Sequence, residues 1–242
     1  MGDRASLRKA QLAYELQSVD SALDQARHRL SEVEVGLADR AELDQALADQ
    51  DAASGSLRTV EHQEHDLEVE VDDIRERLRA LERKLYGGTV TNPKELDGLF
   101  HEADQFRRQI SVREDRALAL IDDIEAAAER KRQADAAAEA ATAAHENRTR
   151  ELETERSGLV ADISRLERER DEWRNQMEPA LLRIYDSLQR TKNGLAVSTI
   201  QQRSCQGCRV SLPVNEAARA RTSEELVLCQ SCGRILYVDL YG

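Results

Sequence analysis

Apolar residues recur along the first third of the chain at alternating spacings of four and three residues. One run extends from Leu12 to Leu37, and a second extends from Leu57 to Leu85. This spacing predicts amphipathic helix whose apolar seam packs against another helix, as in a coiled coil. Leu37 and Leu57 are 20 residues apart, one short of three heptads. The pattern therefore predicts a local change of winding between the two runs.

The heptad pattern stops before Gly87-Gly88 and resumes after a short connection that resembles a helix start. The two glycines permit a turn, Asn92 suits a helix N-cap, and Pro93 suits the first helical position. A short connection between two heptad segments makes the helices antiparallel neighbours. We therefore predict a mainly α fold, built on a long antiparallel two-helix coiled-coil hairpin with its tip at residues 86–95.

The predicted turn also sets a register for the two helices. If the tip is the centre of the turn, the numbers of facing residues sum to about 180. The Ala-rich residues 126–144 then face residues 36–54, where small side chains are also common, and this section is expected to be the softest. On this register the chain from Trp173 onward extends past the start of the first helix, and a kink is expected near Pro179. The hairpin is assigned to residues 1–190.

The composition fits long helices better than a globular or disordered chain. Of 242 residues, 34% are charged and 3% aromatic, with only 11 Gly and 3 Pro. Disordered segments are usually rich in Pro, Ser and Gly. No stretch approaches the roughly 20 apolar residues of a membrane span, and residues 1–12 carry charges where a signal peptide has an apolar core. We expect a cytoplasmic protein without a membrane contact.

The negative charge belongs to the helical part of the chain. The net charge is -12, and residues 190–242 hold seven Lys or Arg against four Asp or Glu, so this segment has a charge of +3 and the remainder -15. An acidic surface repels nucleic acid and anionic membrane. Any contact with phosphate is therefore expected in the C-terminal segment or in a local patch.

All four cysteines lie near the C-terminus in two Cys-x-x-Cys pairs that are separated by 20 residues. They are Cys205, Cys208, Cys229 and Cys232. This spacing is typical of one structural Zn²⁺ held by four thiolates. Disulfides would need an oxidising compartment, and a thioredoxin-like redox site would need a βαβ pattern. A catalytic zinc would need an open coordination position, which four thiolates do not leave.

Short apolar stretches around the cysteine pairs predict strands, and the segment 191–242 is therefore assigned to a small β zinc ribbon. The stretches are Ala196–Ile200, Val210–Val214, Leu226–Leu228 and Ile235–Val238. So small a domain has little hydrophobic core of its own. We expect zinc to supply much of its folding free energy.

Several of these motifs together resemble a known family. They are the tip Leu85–Leu96, the segment Leu182–Leu188 around Tyr185, the first cysteine pair with Leu212-Pro213, and the second pair with its extension to Tyr237. The chain is similar over essentially its whole length to bacterial C4-type zinc-ribbon proteins that carry a long coiled-coil hairpin. The resemblance implies a non-enzymatic protein that binds nucleic acid or acts as an adaptor. Some members are linked to flagellar or type III secretion systems and to RNA or sigma-factor contacts.

The first functional hypothesis is that the ribbon binds RNA or DNA, with tyrosines stacking on bases. The candidate residues are Lys192, Arg203, Arg209, Arg219, Arg221, Arg234 and Tyr237, with Tyr241 as a further stacking residue. A structural alternative is that Arg209 and Arg234 offset the -2 charge of a Zn(Cys)₄ centre while Tyr237 packs on the second helix. Bound zinc would lower the charge of the segment from +3 to about +1.

The second hypothesis is a protein adaptor or chaperone that acts through the coiled coil and its tip. The candidate contacts are Tyr86, Thr89, Thr91 and Lys94. A related possibility is a regulator of the transcription machinery that inserts its tip into the polymerase. Such proteins usually present acidic tip residues, whereas Glu95 and Asp97 are explained by the dipole of the helix that they begin.

An enzyme is the least favoured class. The sequence has no Gly-rich phosphate loop, no nucleophile elbow and no cluster of His with carboxylates. His62 and His65 are three residues apart, but Glu61 and Glu64 beside them indicate a solvated helix face. We therefore expect no catalytic residues and no small-molecule substrate.

Overall fold

A computed structural model describes residues 8–238. The elements in chain order are α1 (Lys9–Ala38), α2 (Ala41–Tyr86), α3 (Pro93–Asn175), α4 (Pro179–Thr191), β1 (Val197–Gln201), β2 (Ser204–Cys205), α5 (Val214–Thr222) and β3 (Ile235–Tyr237). The predicted fold class is confirmed, because long helices form a hairpin and a small sheet follows them. Within residues 8–238, no helix has an apolar stretch long enough to cross a membrane.

Contacts divide the chain into two units. The first contains the described residues up to Asp39 and those from Arg150 onward, and the second contains Arg40–Thr149. The first unit thus holds α1, the end of α3, α4 and the ribbon, whereas the second holds α2 and the start of α3. The predicted domain boundary at residue 190 follows the change from helix to sheet rather than these contacts, and it stays a prediction.

The helix before the tip is interrupted, where the sequence predicted only a change of winding. α1 ends at Ala38, Asp39 is extended with ψ 112°, and α2 begins at Ala41. A missing residue in a continuous helix would rotate the later seam by about 100°. Because Asp39 and Arg40 are not helical, α2 can begin in a new orientation, and its apolar seam does not have to follow that of α1. On both sides of the break the predicted seam positions are buried or half-buried, as at Val33 and Leu67.

In the second unit, α2 and α3 are joined by a short turn at the residues assigned to the tip. α2 ends at Tyr86, and Gly88 has the positive φ of 73° that glycine adopts readily. The side-chain oxygen of Asn92 accepts the backbone N–H of Lys94 at 3.1 Å, which is the bond of a helix N-cap. Pro93 follows as the first residue of α3.

The helices face each other several residues away from the predicted register. In the second unit Arg75 pairs with Glu114, and in the first unit Arg29 pairs with Glu155. Their numbers sum to 189 and 184 rather than about 180. Helical side chains lean toward the N-terminus of their own helix by about one residue, which accounts for about two residues of this difference. The expected softness of the Ala-rich section stays a prediction.

The end of α3 does not extend past α1, and the expectation of an overhang from Trp173 onward was wrong. α3 ends at Asn175, and α4 begins at Pro179. The predicted interruption near Pro179 is therefore a complete break, after which α4 contacts α1. Trp173 is buried in one apolar cluster with Leu16 of α1 and Leu181 of α4.

A buried polar network lies inside this cluster. Asp20 is only 4% exposed. Its carboxylate accepts the hydroxyl of Tyr185 at 2.7 Å and the side-chain amide of Gln189 at 2.9 Å. The Nε of Arg170 lies 2.9 Å from the other oxygen as an ion pair without a well-aligned hydrogen bond. Burial and the bond to Asp20 raise the pKa of Tyr185 far above its ordinary value, so the phenol stays protonated.

We predict that Tyr185→Phe destabilises the protein by about 1–3 kcal/mol, because Asp20 loses a donor in a buried site. Chemical denaturation measures the free energy of unfolding. Tyr86→Phe is the matched control, since Tyr86 is 68% exposed and its loss should change stability by less than about 0.5 kcal/mol. Equal effects of the two substitutions would contradict the role assigned to the buried hydroxyl.

Candidate metal centre

The ribbon is a three-stranded sheet with β1 in the centre. β1 pairs with β2 in antiparallel fashion, with Ile200 opposite Cys205, and with β3 in parallel, with Val197 opposite Ile235. Strands are confirmed over most of 196–200 and 235–238.

Two of the four predicted strands differ from the structure. In the segment 210–214 a single bridge joins Ser211 to Ser204, and Val214 begins α5. The residues after Pro213 are rich in Ala, Arg and Glu, which favour helix. The segment 226–228 contributes one bridge, from Leu228 to Ile235.

The four cysteines come together at one point. Their Sγ atoms all lie within 4.8 Å of one another. Cys205 and Cys232 are 3.8 Å apart, and Cys208 and Cys229 are 3.9 Å apart, so none of them forms a disulfide. A tetrahedron with Zn–S bonds of about 2.3 Å has edges of about 3.8 Å. The two separations match this edge, so the four sulfurs are placed to hold one zinc ion.

The two Cys-x-x-Cys turns, or knuckles, have the same backbone geometry. In the first knuckle the carbonyl of Cys205 accepts the N–H of Arg209 at 2.7 Å, and in the second Cys229 accepts that of Gly233 at 2.8 Å. The residues that donate these two bonds both have left-handed backbone, with φ 59° at Arg209 and 75° at Gly233. The geometry therefore requires a left-handed residue directly after each second cysteine. Glycine meets that requirement in one knuckle and arginine in the other.

Ser198 and Arg234 support the first knuckle. The hydroxyl of Ser198 accepts the N–H of Gly207 at 2.7 Å and lies 3.2 Å from the sulfur of Cys205. The guanidinium of Arg234 donates to the carbonyls of Lys192, Gly207 and Leu195. A Cβ on Gly207 would lie 2.8 Å from the side chain of Arg234, so a larger residue there would displace that side chain.

The thiols of the second knuckle differ in acidity. Burial raises the pKa of Cys229 to about 12. Burial also opposes ionisation of Cys232, but hydrogen bonds from the backbone and side chain of Arg234 and from the neighbouring cysteines outweigh it and lower its pKa to about 7. A thiol that ionises near neutral pH supplies the thiolate that Zn²⁺ requires.

A side chain of α1 binds the ribbon through hydrogen bonds like those of a neighbouring strand. Of the residues of β1, β2 pairs with Ile200 and Gln201, so it leaves the backbone of Val197 uncovered on that side. The amide of Gln17 donates to the carbonyl of Val197 at 2.9 Å, and its oxygen accepts the N–H of Val197 at 2.6 Å. Both bonds are buried. Gln17 therefore fixes the start of β1 against α1.

The predicted nucleic-acid residues separate into exposed and engaged groups. Arg203, Arg209, Arg219 and Arg221 are exposed. Arg234 binds three backbone carbonyls, as described above, and Lys192 is half-buried.

Tyr237 is also engaged in contacts within the protein. It stacks on Tyr14 of α1, with ring centroids 4.4 Å apart. Tyr237 also packs against the apolar cluster that contains Leu166 and Trp173 of α3. The alternative prediction of packing on the second helix stays a prediction. Tyr241 lies outside the described residues.

The predicted tip residues lie at the connection between α2 and α3. Thr89, Thr91 and Lys94 are exposed, and Tyr86 is 68% exposed. The ring of Tyr86 contacts the edge of Phe100, with centroids 6.4 Å apart.

Sequence reasoning missed three residues. Gln17 fixes the ribbon, Asp20 fixes the end of the helices, and Ser198 fixes the first knuckle. Gln17 and Asp20 each follow a seam residue directly. These two residues lie on a second face of α1, which the ribbon covers. Because that face has no periodic apolar pattern, the heptad seam alone predicts that both residues are exposed to solvent. Ser198 sits within an apolar stretch, and only the fold brings it to Cys205.

We predict about one zinc per chain by elemental analysis, and loss of that zinc in Cys229→Ser. A hydroxyl does not replace a buried thiolate as a zinc ligand. Ser231→Ala, within the same knuckle, is the control and should retain the metal. A purified chain without stoichiometric zinc, or a Cys229 variant that keeps it, would contradict the site.

Comparisons with known proteins agree with this architecture. Residues 16–194 match the CT398-like coiled coil hairpin domain, and residues 204–236 match a C4-type zinc ribbon domain. No curated protein matches the chain significantly.

Two solved structures share the fold. CT398 from Chlamydia trachomatis is 18% identical, with 96% of this chain and 98% of that chain covered and a TM-score of 0.76. A protein from Mycobacterium smegmatis is 20% identical, with coverage of 91% and 94% and a TM-score of 0.63. Because the matched hairpin domain spans most of the sequence and a four-cysteine ribbon follows it, the chain belongs to the CT398-like coiled coil hairpin family and carries a C4-type zinc ribbon.

Proposed function

We propose that this chain is a non-enzymatic nucleic-acid-binding protein whose zinc ribbon contacts the phosphate backbone of RNA or DNA. The coiled coil serves in this proposal as the part that contacts proteins. Two further elements of the proposal follow from the chemistry of the site. Four thiolates complete the coordination of zinc and leave no position for a substrate. Thiolates that hold zinc need a reducing compartment, which supports a cytoplasmic location.

The observation that carries the proposal is the placement of two arginines at left-handed positions. Arg209 has φ 59° where the equivalent position of the other knuckle holds glycine, and Arg203 has φ 59° in the two-residue turn between β1 and β2. Such turns favour Asn-Gly. A non-glycine residue there costs about 1 kcal/mol. Strain retained at an exposed side chain is a reason to look for function.

The charges around these two arginines also favour phosphate. Within residues 8–238, no carboxylate pairs with the guanidinium of Arg203 or Arg209. Glu216, the acidic residue of α5, is buried and accepts the N–H of Gln230. Glu225 pairs with Lys9. Two acidic residues of the ribbon are thus buried or neutralised, while the two arginines face solvent.

The same two arginines belong to two backbone segments that hydrogen bonds pair with each other. The carbonyl of Arg203 accepts the N–H of Leu212 at 2.8 Å, and the N–H of Cys205 binds the carbonyl of Val210 at 3.0 Å. These bonds pair the turn after β1 with the segment that follows the first knuckle. Zinc would therefore fix both arginines on one rigid support, which lowers the entropic cost of binding a phosphate chain.

The charge of the helices confines the contact to the ribbon. Residues 1–189 carry -15, and this charge repels a polyanion. Arg219 and Arg221 lie in the last turn of α5 and extend the cationic surface. Nucleic acid is therefore expected to contact the first knuckle, the β1–β2 turn and α5. Arg234 and Tyr237 are left out of the binding set, because both have structural contacts.

A protein adaptor that acts through the tip is the second candidate function. It is favoured by one observation, the exposure of an aromatic pair at the end of the hairpin. Tyr86 is 68% and Phe100 is 49% exposed. Aromatic residues are scarce in this chain and are enriched in protein interfaces.

We predict that Arg203→Gly/Arg209→Gly weakens binding of a labelled single-stranded RNA by the full chain while leaving stability equal or higher. Glycine removes both charges and relieves the left-handed strain. The slope of log affinity against log salt should become shallower by about 0.7 for each phosphate that the variant no longer neutralises. Fluorescence anisotropy at several salt concentrations gives both quantities.

Two controls accompany this experiment. Arg116→Gln/Arg130→Gln removes the same charge from exposed positions of α3 and should leave RNA affinity within about twofold. Arg203→Lys/Arg209→Lys keeps the charge and should retain most of the affinity. RNA affinity that is unchanged in the glycine variant would refute the proposal.

A further inference from the structure

A shallow, open cationic groove runs along one face of the last two turns of α2. It has a volume of about 530 Å³ and is lined by Arg79, Glu82, Arg83, Tyr86 and Gly87. The four side chains are spaced at i, i+3, i+4 and i+7, so they share one helix face. Both the groove and the Tyr86–Phe100 pair lie in the second unit of the chain.

The charge of the groove is positive because its only carboxylate is already neutralised. Glu82 accepts a hydrogen bond from Arg107 at 2.6 Å. Arg107 also lies near the side chain of Tyr86. Arg79 and Arg83 remain at the surface, and within the described residues neither has a carboxylate partner. They add two uncompensated charges to a hairpin that is otherwise acidic.

The aromatic end of the groove exposes a large apolar surface to water. The chain has only eight aromatic residues, and two of them meet at this tip. Trp173 and Tyr185, by contrast, are buried. The glycine that follows is explained by the turn alone, since a Cβ on Gly87 would lie 2.5 Å from the carbonyl of Arg83. The exposure of Tyr86 and Phe100 has no such local explanation.

We propose that this groove binds an acidic amphipathic helix of a partner protein. Apolar side chains of that helix would cover Tyr86 and Phe100, and carboxylates one turn apart would pair with Arg79 and Arg83. The inference rests on the second candidate function, the adaptor, and names the chemistry of its partner. Helix in groove is a common mode of peptide recognition, with anchors at i, i+3, i+4 and i+7.

The local charges favour a protein partner over nucleic acid at this tip. Glu95 and Asp97 begin the adjacent helix and are exposed. They would repel a nucleic acid, which carries negative charge along its whole length. A protein helix can place its carboxylates opposite the arginines and uncharged residues opposite Glu95 and Asp97. The rings of Tyr86 and Phe100 meet at 78°, which forms a rounded apolar surface rather than a flat platform for stacked bases.

The test uses the full chain and two synthetic helical peptides that share the same leucine positions. One peptide carries glutamates beside the leucines, and the other carries lysines at the same places. We expect the glutamate peptide to bind at least about tenfold more tightly at low salt, with the difference shrinking as salt is raised. Isothermal titration calorimetry measures both affinities.

Variants of the groove separate its charge from its apolar surface. Arg79→Gln/Arg83→Gln retains helix-forming side chains and should lower the affinity for the glutamate peptide roughly tenfold, which corresponds to two partly exposed ion pairs. Tyr86→Ala should weaken binding because it removes most of the apolar surface at the end of the groove. Arg116→Gln/Arg130→Gln is the matched control of equal charge and should bind like the wild type.

Several results would overturn the inference. Equal binding of both peptides, with loss of both in Tyr86→Ala, would leave the tip as an adaptor surface but refute an acidic partner. Binding of neither peptide at millimolar concentration, or a tip variant that changes only the oligomeric state of the chain, would also refute it. None of these variants touches the ribbon, so RNA affinity remains an independent readout of the first proposed function.

Discussion

The structure depends on the packing of the ribbon against the open end of the helices. Two helices alone bury a narrow seam, and helix ends have unpaired backbone groups and few neighbours. Here α1, α3 and α4 share one apolar cluster with Ala196, Val197 and Ile235 of the ribbon. Gln17 adds two buried hydrogen bonds to β1. The ribbon thus closes the end of the helical bundle as part of a common core.

β3 connects this core to the metal centre. Successive residues of a strand point to opposite faces, so Ile235 enters the cluster shared with the helices while Leu236 enters a second cluster with Cys205 and Cys229. The second cluster is small, and a zinc ion at its centre would supply the cohesion that its few apolar side chains lack. Zinc binding and helix packing are therefore linked through a strand of three residues.

The parts that could be predicted from the sequence are those with a local or periodic signal. The seams, the cap at Asn92 and the four thiolates follow from spacing alone. The break at Asp39 was visible only as a one-residue slip, because periodicity does not distinguish overwinding from interruption. Gln17 and Asp20 gave no signal, since their burial depends on elements about 170 residues away in the chain. The left-handed backbone of Arg209 also depends on tertiary structure, because only the closed knuckle imposes it.

Hydrogen exchange on the full chain, before and after zinc is removed by a chelator, tests most directly whether ribbon and helices form one cooperative unit. We predict that amides of α1 from Ala13 to Leu23 lose protection together with those of β1 and β3, because the shared cluster opens as a whole. The start of α2, which belongs to the other unit, should keep its protection and serves as the internal reference. Loss of protection in the ribbon alone, with residues 13–23 unchanged, would contradict this coupling.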